Sequence, residues 1–140
     1  MTLSRRQVLA ISGGAIAFPG LPAVPAFASL AEDAISEFTA GATVGAGELT
    51  LTAPEIAENG NSVPIEFDAP GAVAVAIFAD GNPTPQVGGF TFGPLSGSRF
   101  ASTRIRLATT QNVIAIAQME DGSFQRAEAN VKVTIGGCGG

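Results

Sequence analysis

Apolar and polar residues alternate with period two through most of the chain beyond residue 45. In "VPIEF", Val63, Ile65 and Phe67 point one way, while Glu66 and then Asp68 point the other. A strand that buries one face and wets the other reads this way. "ELTLT" puts Leu49 and Leu51 on one side, and "TRIRLA" sets Ile105 and Leu107 against Arg104 and Arg106. "NVKVTI" sends Val131, Val133 and Ile135 inward, and "GGFTF" adds a strand around Phe90 and Phe92. Turn residues separate these runs: Asn59-Gly60 in "ENGNS", the proline-rich "GNPTPQ", and Asp121-Gly122 in "EDGS". Residues 30–39, "LAEDAISEFT", have helical spacing instead. Leu30, Ala34, Ile35 and Phe38 share a face, Glu32, Asp33 and Glu37 lie elsewhere, and "GATVGAG" breaks the pattern.

Two runs do not alternate. "AVAVAIFA" (72–79) and "NVIAIAQ" (112–118) are apolar on both faces. An antiparallel strand open to water on one side carries polar residues there, so the second face of these two needs a cover. Either the helix alone supplies it, or the helix covers part and a partner subunit the rest. Six or seven short strands with frequent turns predict an all-β fold. The expected architecture is an immunoglobulin-like antiparallel β-sandwich with a short N-terminal helix and a flexible C-terminal arm. No strand–helix alternation points to a parallel sheet, and no internal repeat is present.

A length of 140 residues fits one such domain, with a processed leader ahead of it. Arg5 and Arg6 precede a weakly apolar stretch from Val8 to Phe18, and Ala26 to Ala28, "AFA", supplies the small residues of a cleavage site. The arginine pair resembles a twin-arginine (Tat) export signal, with Val8 and Ala10 in place of the usual Phe and Lys; the alternative is an ordinary Sec signal with two arginines in its n-region. The expected organisation is a Tat signal over 1–28, helix and linker over 29–45, sandwich over 46–135 and an arm over 136–140, in a periplasmic protein. No apolar run reaches the length of a transmembrane helix. The residues after Ala28 include 5 basic and 12 acidic ones, a net charge of −7. Such a surface is a poor partner for nucleic acid or an anionic membrane, both of which require clustered Lys and Arg.

Composition also excludes most catalytic chemistry. The chain has no His, no Tyr and no Trp, and a single cysteine. An imidazole base, a Cys/His pair and a zinc or iron–sulfur site are therefore not expected, and no cofactor is implied. Asp80, Glu120 and Asp121 sit beside turns, where carboxylates are normally solvated. Arg104 and Arg106 read as a polar strand face or as part of a partner-binding surface. The expectation is a protein acted upon rather than an enzyme.

Cys138 is the exception. It stands near the C-terminus in "VTIGGCGG", with Gly136 and Gly137 before it and Gly139 and Gly140 after it. Glycines add no bulk and permit many backbone conformations. A five-residue extended segment spans roughly 17 Å, enough to take a thiol into another protein's cleft. Nothing adjacent in sequence lowers the thiol pKa: the terminal carboxylate and an acidic domain both disfavour thiolate. A lone cysteine in an exported protein implies a reactive thiol or an intermolecular disulfide. The first makes a carrier whose partners activate it. The second makes a structural domain linked to another chain. A prenylation signal needs more residues after the cysteine.

The terminal "GGCGG" after "VKVTI" resembles the SoxY family of sulfur-carrier subunits in the bacterial Sox thiosulfate-oxidising system. "AENGNSVPIEF" (57–67) and "STRIRLA" (102–108) are similar to that family as well. The resemblance implies a heterodimer with SoxZ, exported folded. It implies that Cys138 takes up thiosulfate through SoxAX, that SoxB hydrolyses off sulfate, and that SoxCD oxidises the remaining sulfur where it is present. Gly136, Gly137, Gly139 and Gly140 correspond to the family's swinging arm. The two-sided apolar strands would then offer a surface for SoxZ.

Overall fold

A computed structural model describes residues 26–135. Within them one helix, α1 (Ala26–Thr39), precedes nine strands: β1 (Val44–Gly45), β2 (Thr50–Thr52), β3 (Ile56–Ala57), β4 (Val63–Asp68), β5 (Ala72–Ala79), β6 (Gln86–Thr91), β7 (Phe100–Ile105), β8 (Gln111–Met119) and β9 (Phe124–Val133). They form a larger sheet in the order β1-β9-β8-β5-β6, with β3 also on β9, and a smaller sheet β2-β4-β7. The sandwich is the predicted one. Its ladders are antiparallel except where β1 and β3 lie parallel to β9, at Val44↔Phe124 and Ile56↔Lys132. Those two short strands escape a pattern search because two residues carry no periodicity.

The main core lies between the sheets. Val63, Ile65 and Phe67 from β4 meet Val75 and Ile77 from β5 and Val113, Ala115 and Ala117 from β8. Phe67 packs edge-on against Phe90 at 4.9 Å and Phe92 at 6.2 Å, an arrangement the ring quadrupoles favour. The small inward residues of β8 leave room for these rings.

The opposite face of the β5–β8 pair answers the covering question. Ala76, Phe78, Ile114 and Ile116 form a second core with Ile35 and Phe124, flanked by Ala34, Phe38 and Val44. Phe38 meets Phe78 at 6.3 Å and Phe124 at 5.9 Å, again edge-on. Each large side chain removed from water here contributes about 1.5–3 kcal/mol. The large residues of β8, Ile114 and Ile116, face the helix rather than the sandwich interior. The protein's own helix supplies the cover over these four residues, while Val73 and Ala74 at the start of β5 stay half-buried.

Helix α1 starts four residues before the predicted position, inside the "AFA" stretch. It ends in a Schellman motif: Gly41 N–H donates to Ser36 O at 3.0 Å and Ala40 N–H to Glu37 O at 3.4 Å. Ala40 takes the left-handed position with φ 53°, where glycine is the usual occupant. At the far end, the β8–β9 hairpin turns through Gly122 at φ 85°. The Asp121 carboxylate accepts from Ser123 Oγ at 2.6 Å and Ser123 N–H at 2.9 Å.

Two sequence expectations are corrected. β9 begins directly after the hairpin, at Phe124, because cross-strand pairing with β8 carries a stretch that is polar on its outer face, "QRAEAN". Ile135, predicted inward, is 65 % exposed. The β8 ladder ends at Gln111↔Val131, so beyond Val133 no facing sheet remains to bury it.

Ile35→Ala should cost about 2–4 kcal/mol in urea unfolding, because it opens the helix-covered core. The Ser123 hydrogen bonds, the hydroxyl first, hold Asp121 below its ordinary 3.8. The contribution of this turn is thus present above pH 3.8 and fades as pH falls through the lower folded value. Ser123→Ala should bring the Asp121 carboxyl titration, followed by carbon-13 NMR, back toward 3.8.

Candidate functional site

Strand directions bring four segments to one end of the sandwich: 57–63, 79–86, 105–111 and 132–135. The last described residues are tied down there. Lys132 N–H donates to Glu55 O at 2.9 Å and Thr134 N–H to Ala57 O at 3.1 Å. Thr134 Oγ1 donates to Glu58 O at 3.0 Å, and Gly60 N–H donates to Ile135 O at 2.8 Å. Gly60 O in turn accepts from Leu107 N–H at 2.8 Å. Asn59 Oδ1 accepts from Asn61 N–H at 2.9 Å and shapes the turn that makes this possible. The root of the C-terminal segment is therefore held through Gly60 to Leu107, just past the end of β7.

At this end of the sandwich a cleft of about 400 Å³ lies between the β5–β6 loop and the end of β7. Asn82, Pro83 and Val87 line one wall, and Arg104, Ile105 and Arg106 the other. β6 and β7 are the terminal strands of their sheets, so the cleft lies between two strand edges.

A buried amide network holds the walls in place. Asn82 Nδ2 donates to Arg106 O at 2.7 Å, and Asn82 Oδ1 accepts from Ala108 N–H at 2.9 Å and Gln111 Nε2 at 2.8 Å. Gln111 Oε1 accepts from Gly81 N–H at 2.8 Å. Gly81 permits this approach: a Cβ there would stand 2.9 Å from Gln111 Cβ. No buried side-chain nitrogen or oxygen among the described residues lacks a partner.

The four arginines among the described residues divide sharply. Arg126 pairs with Glu32 and Glu128, each at 3.2 Å. Burial alone would lower its pKa, but the hydrogen bonds it donates to both carboxylates, with their negative charges, outweigh that and raise it. Arg99 donates to Ala72 O at 2.7 Å and lies over the Phe92 ring. Arg104 donates only a 3.3 Å bond to Ser62 Oγ, and neither it nor Arg106 has a carboxylate partner among the described residues.

Of the residues singled out from sequence, Arg104 and Arg106 are exposed on β7 and its extension, as expected. Asp80 is structural: its carboxylate accepts from Asn112 N–H at 2.9 Å and Asn112 Nδ2 at 3.0 Å. Asp121 serves its turn and Glu120 is exposed. Among the described residues no group of His, Cys, Asp or Glu could hold a metal ion, and no helix could cross a membrane. Cys138, Gly136, Gly137, Gly139, Gly140, Arg5 and Arg6 lie outside the described residues. Sequence reasoning missed Asn82 and Gln111. Their signal was weak, an Asn in a turn and a Gln at the start of an apolar run.

Residues 35–138 match the family model of the sulfur oxidation protein SoxY. The chain belongs to the SoxY family. The match begins at Ile35, in the helix core, and ends at the cysteine itself. The solved structure of the sulfur carrier protein SoxY from Chlorobium limicola f thiosulfatophilum is similar at 37% identity. That alignment covers 77% of this chain and 99% of that one, with a TM-score of 0.65. A superoxide reductase (neelaredoxin) from Ignicoccus hospitalis shares the fold alone. It is 16% identical with a TM-score of 0.54, over 62% of this chain and 80% of that one. No curated protein matches the chain in sequence. The matched segment ends three residues beyond Ile135, the last described residue.

Gln111→Ala should destabilise the fold by about 1–3 kcal/mol in urea unfolding, since it strands Gly81 N–H and part of Asn82.

Proposed function

We propose that this protein is a periplasmic sulfur carrier. It holds thiosulfate-derived intermediates on Cys138 while partner enzymes process them. The supporting observation is the SoxY family match that runs through the sandwich and ends on that residue. The similarity to a SoxY titled as a sulfur carrier protein agrees with it.

The chemistry asks little of the chain beyond the thiol. SoxAX joins the Cys138 sulfur to the outer sulfur of thiosulfate and accepts two electrons, leaving Cys138–S–S–SO3⁻. SoxB adds water across the sulfur–sulfonate bond, releases sulfate and leaves a persulfide. Where SoxCD acts, it oxidises that persulfide sulfur and SoxB repeats the hydrolysis. The chain's part is to present its sulfur to each in turn, which suits the lack of histidine anywhere in the sequence. Gly136, Gly137, Gly139 and Gly140 form the arm, SoxZ is the stable partner, and the pair is exported by the Tat route through Arg5 and Arg6.

The test is intact mass spectrometry of the protein taken from the periplasm, before and after reductant. Reductant-labile additions of thiosulfate or sulfur on a Cys138 peptide are expected. A bare thiol, or only a disulfide to a second large chain, would instead favour a structural linker. Cys138→Ser should lose every such adduct while its urea midpoint stays at the wild-type value.

A further inference from the structure

The two sheet edges that flank the cleft are guarded differently. A bare edge invites pairing with another chain, and proteins commonly block it with charge or proline. β7 carries Arg104. β6, "QVGGFT", has neither a charged residue nor a proline, and its one irregularity is the register shift at Val87, a residue that lines the cleft. Phe92 N–H donates to Val73 O at 2.9 Å. In the alternation of an antiparallel ladder, Thr91 and Gly89 then turn their N–H and C=O groups away from β5. Gly89 is exposed and brings no side chain between that edge and an approaching strand.

The opposite wall carries charge that the chain does not answer. Arg104 stands across from Pro64 in the β4–β7 ladder, whereas Glu66 and Asp68 stand across from Ser102 and Phe100. Neither Arg104 nor Arg106 has a carboxylate partner among the described residues, in a domain with 12 acidic groups; Arg126, by contrast, holds two. Guanidinium groups with free donors suit carboxylates. Pro83, Val87 and Ile105 beside them suit an apolar side chain. The Asn82–Gln111 network fixes both walls in advance, which lowers the cost of binding.

We propose that this cleft docks an extended acidic segment of a partner protein, which adds as a strand to the edge of β6 and sets its carboxylates on Arg104 and Arg106. Main-chain bonds to β6 supply affinity, while the arginines and the apolar wall select the sequence. The acidic surface elsewhere repels such a segment and steers it to this end of the sandwich. The inference goes beyond the carrier reading and uses neither Cys138 nor its load.

A display library of random peptides can be panned against the full chain, kept reduced. Enriched peptides should carry acidic residues at alternate positions beside an apolar one. Such a peptide, once synthesised, should shift the Gly89 and Thr91 amide signals and the Arg104 and Arg106 Nε signals in nitrogen-15 NMR. Its binding should weaken about tenfold in an Arg104→Gln, Arg106→Gln double variant, the order expected for two exposed ion pairs. Added salt should weaken binding to the unaltered chain. N-methylation of alternate peptide residues should abolish binding in one register and spare it in the other. The amide spectrum checks the variant's fold, and the salt and methylation results stand without it. An unenriched library, enrichment without acidic residues, equal binding by the double variant, or unmoved Gly89 and Thr91 signals would overturn the proposal. So would Gly89 and Thr91 signals that move with protein concentration alone, which would give the edge to a second copy. Whether Cys138 carries sulfur in the periplasm does not enter these results, so this inference and the carrier reading fail separately.

Discussion

The fold depends on a central pair of strands that are apolar on both sides. β5 and β8 pair from Ala72↔Met119 to Ala79↔Val113, and neither face of that ladder tolerates water. One face is satisfied by the smaller sheet and the other by a helix, so the sandwich has a third layer on one side only. Ring packing repeats on both: Phe67 with Phe90 and Phe92 inside, Phe38 with Phe78 and Phe124 outside. With neither Tyr nor Trp, phenylalanine alone supplies this volume and brings no hydroxyl or indole N–H that would need a partner.

The functional end follows from the same framework. β5 delivers Asp80, Gly81 and Asn82 to the place where β8 begins with Gln111 and Asn112. The amide and carboxylate bonds between these residues fix the β5–β6 loop. That loop forms one wall of the arginine cleft, and Gly60 joins the other wall to the root of the C-terminal segment.

Much of this was legible in the sequence, for identifiable reasons. Alternation located β4 and the end of β7, where Val63, Ile65, Phe67 and Ile105 are buried. The two-sided runs announced a covered sheet, and the turns at Asn59-Gly60 and Asp121-Gly122 were marked by residues that few other positions favour. The terminal "GGCGG" identified the family. What sequence did not show was set by tertiary context. It could not say that Ile114 and Ile116 would face the helix while Val113 and Ala115 faced the sandwich, since either assignment satisfies the pattern. The first half of β9 is held by its ladder to β8 rather than by its own side chains. β1 and β3 are too short to have a period. The Asn82–Gln111 contact joins residues 29 apart, and no local signal predicts it.

The helix layer has a consequence for how the molecule fails. α1 is joined to the larger sheet by one patch of side chains and by the exposed Glu32–Arg126 pair, and it shares no backbone ladder with it. It can therefore lift away while the sandwich keeps all its strand pairings, an opening of lower free energy than global unfolding. Amide protons in α1 then exchange sooner than those of β5 and β8. In that opened form Phe78, Ile114 and Ile116 lie bare on a folded sheet. How often that face is bared follows from the docking of fourteen helical residues, not from the strength of the strand pairings beneath it.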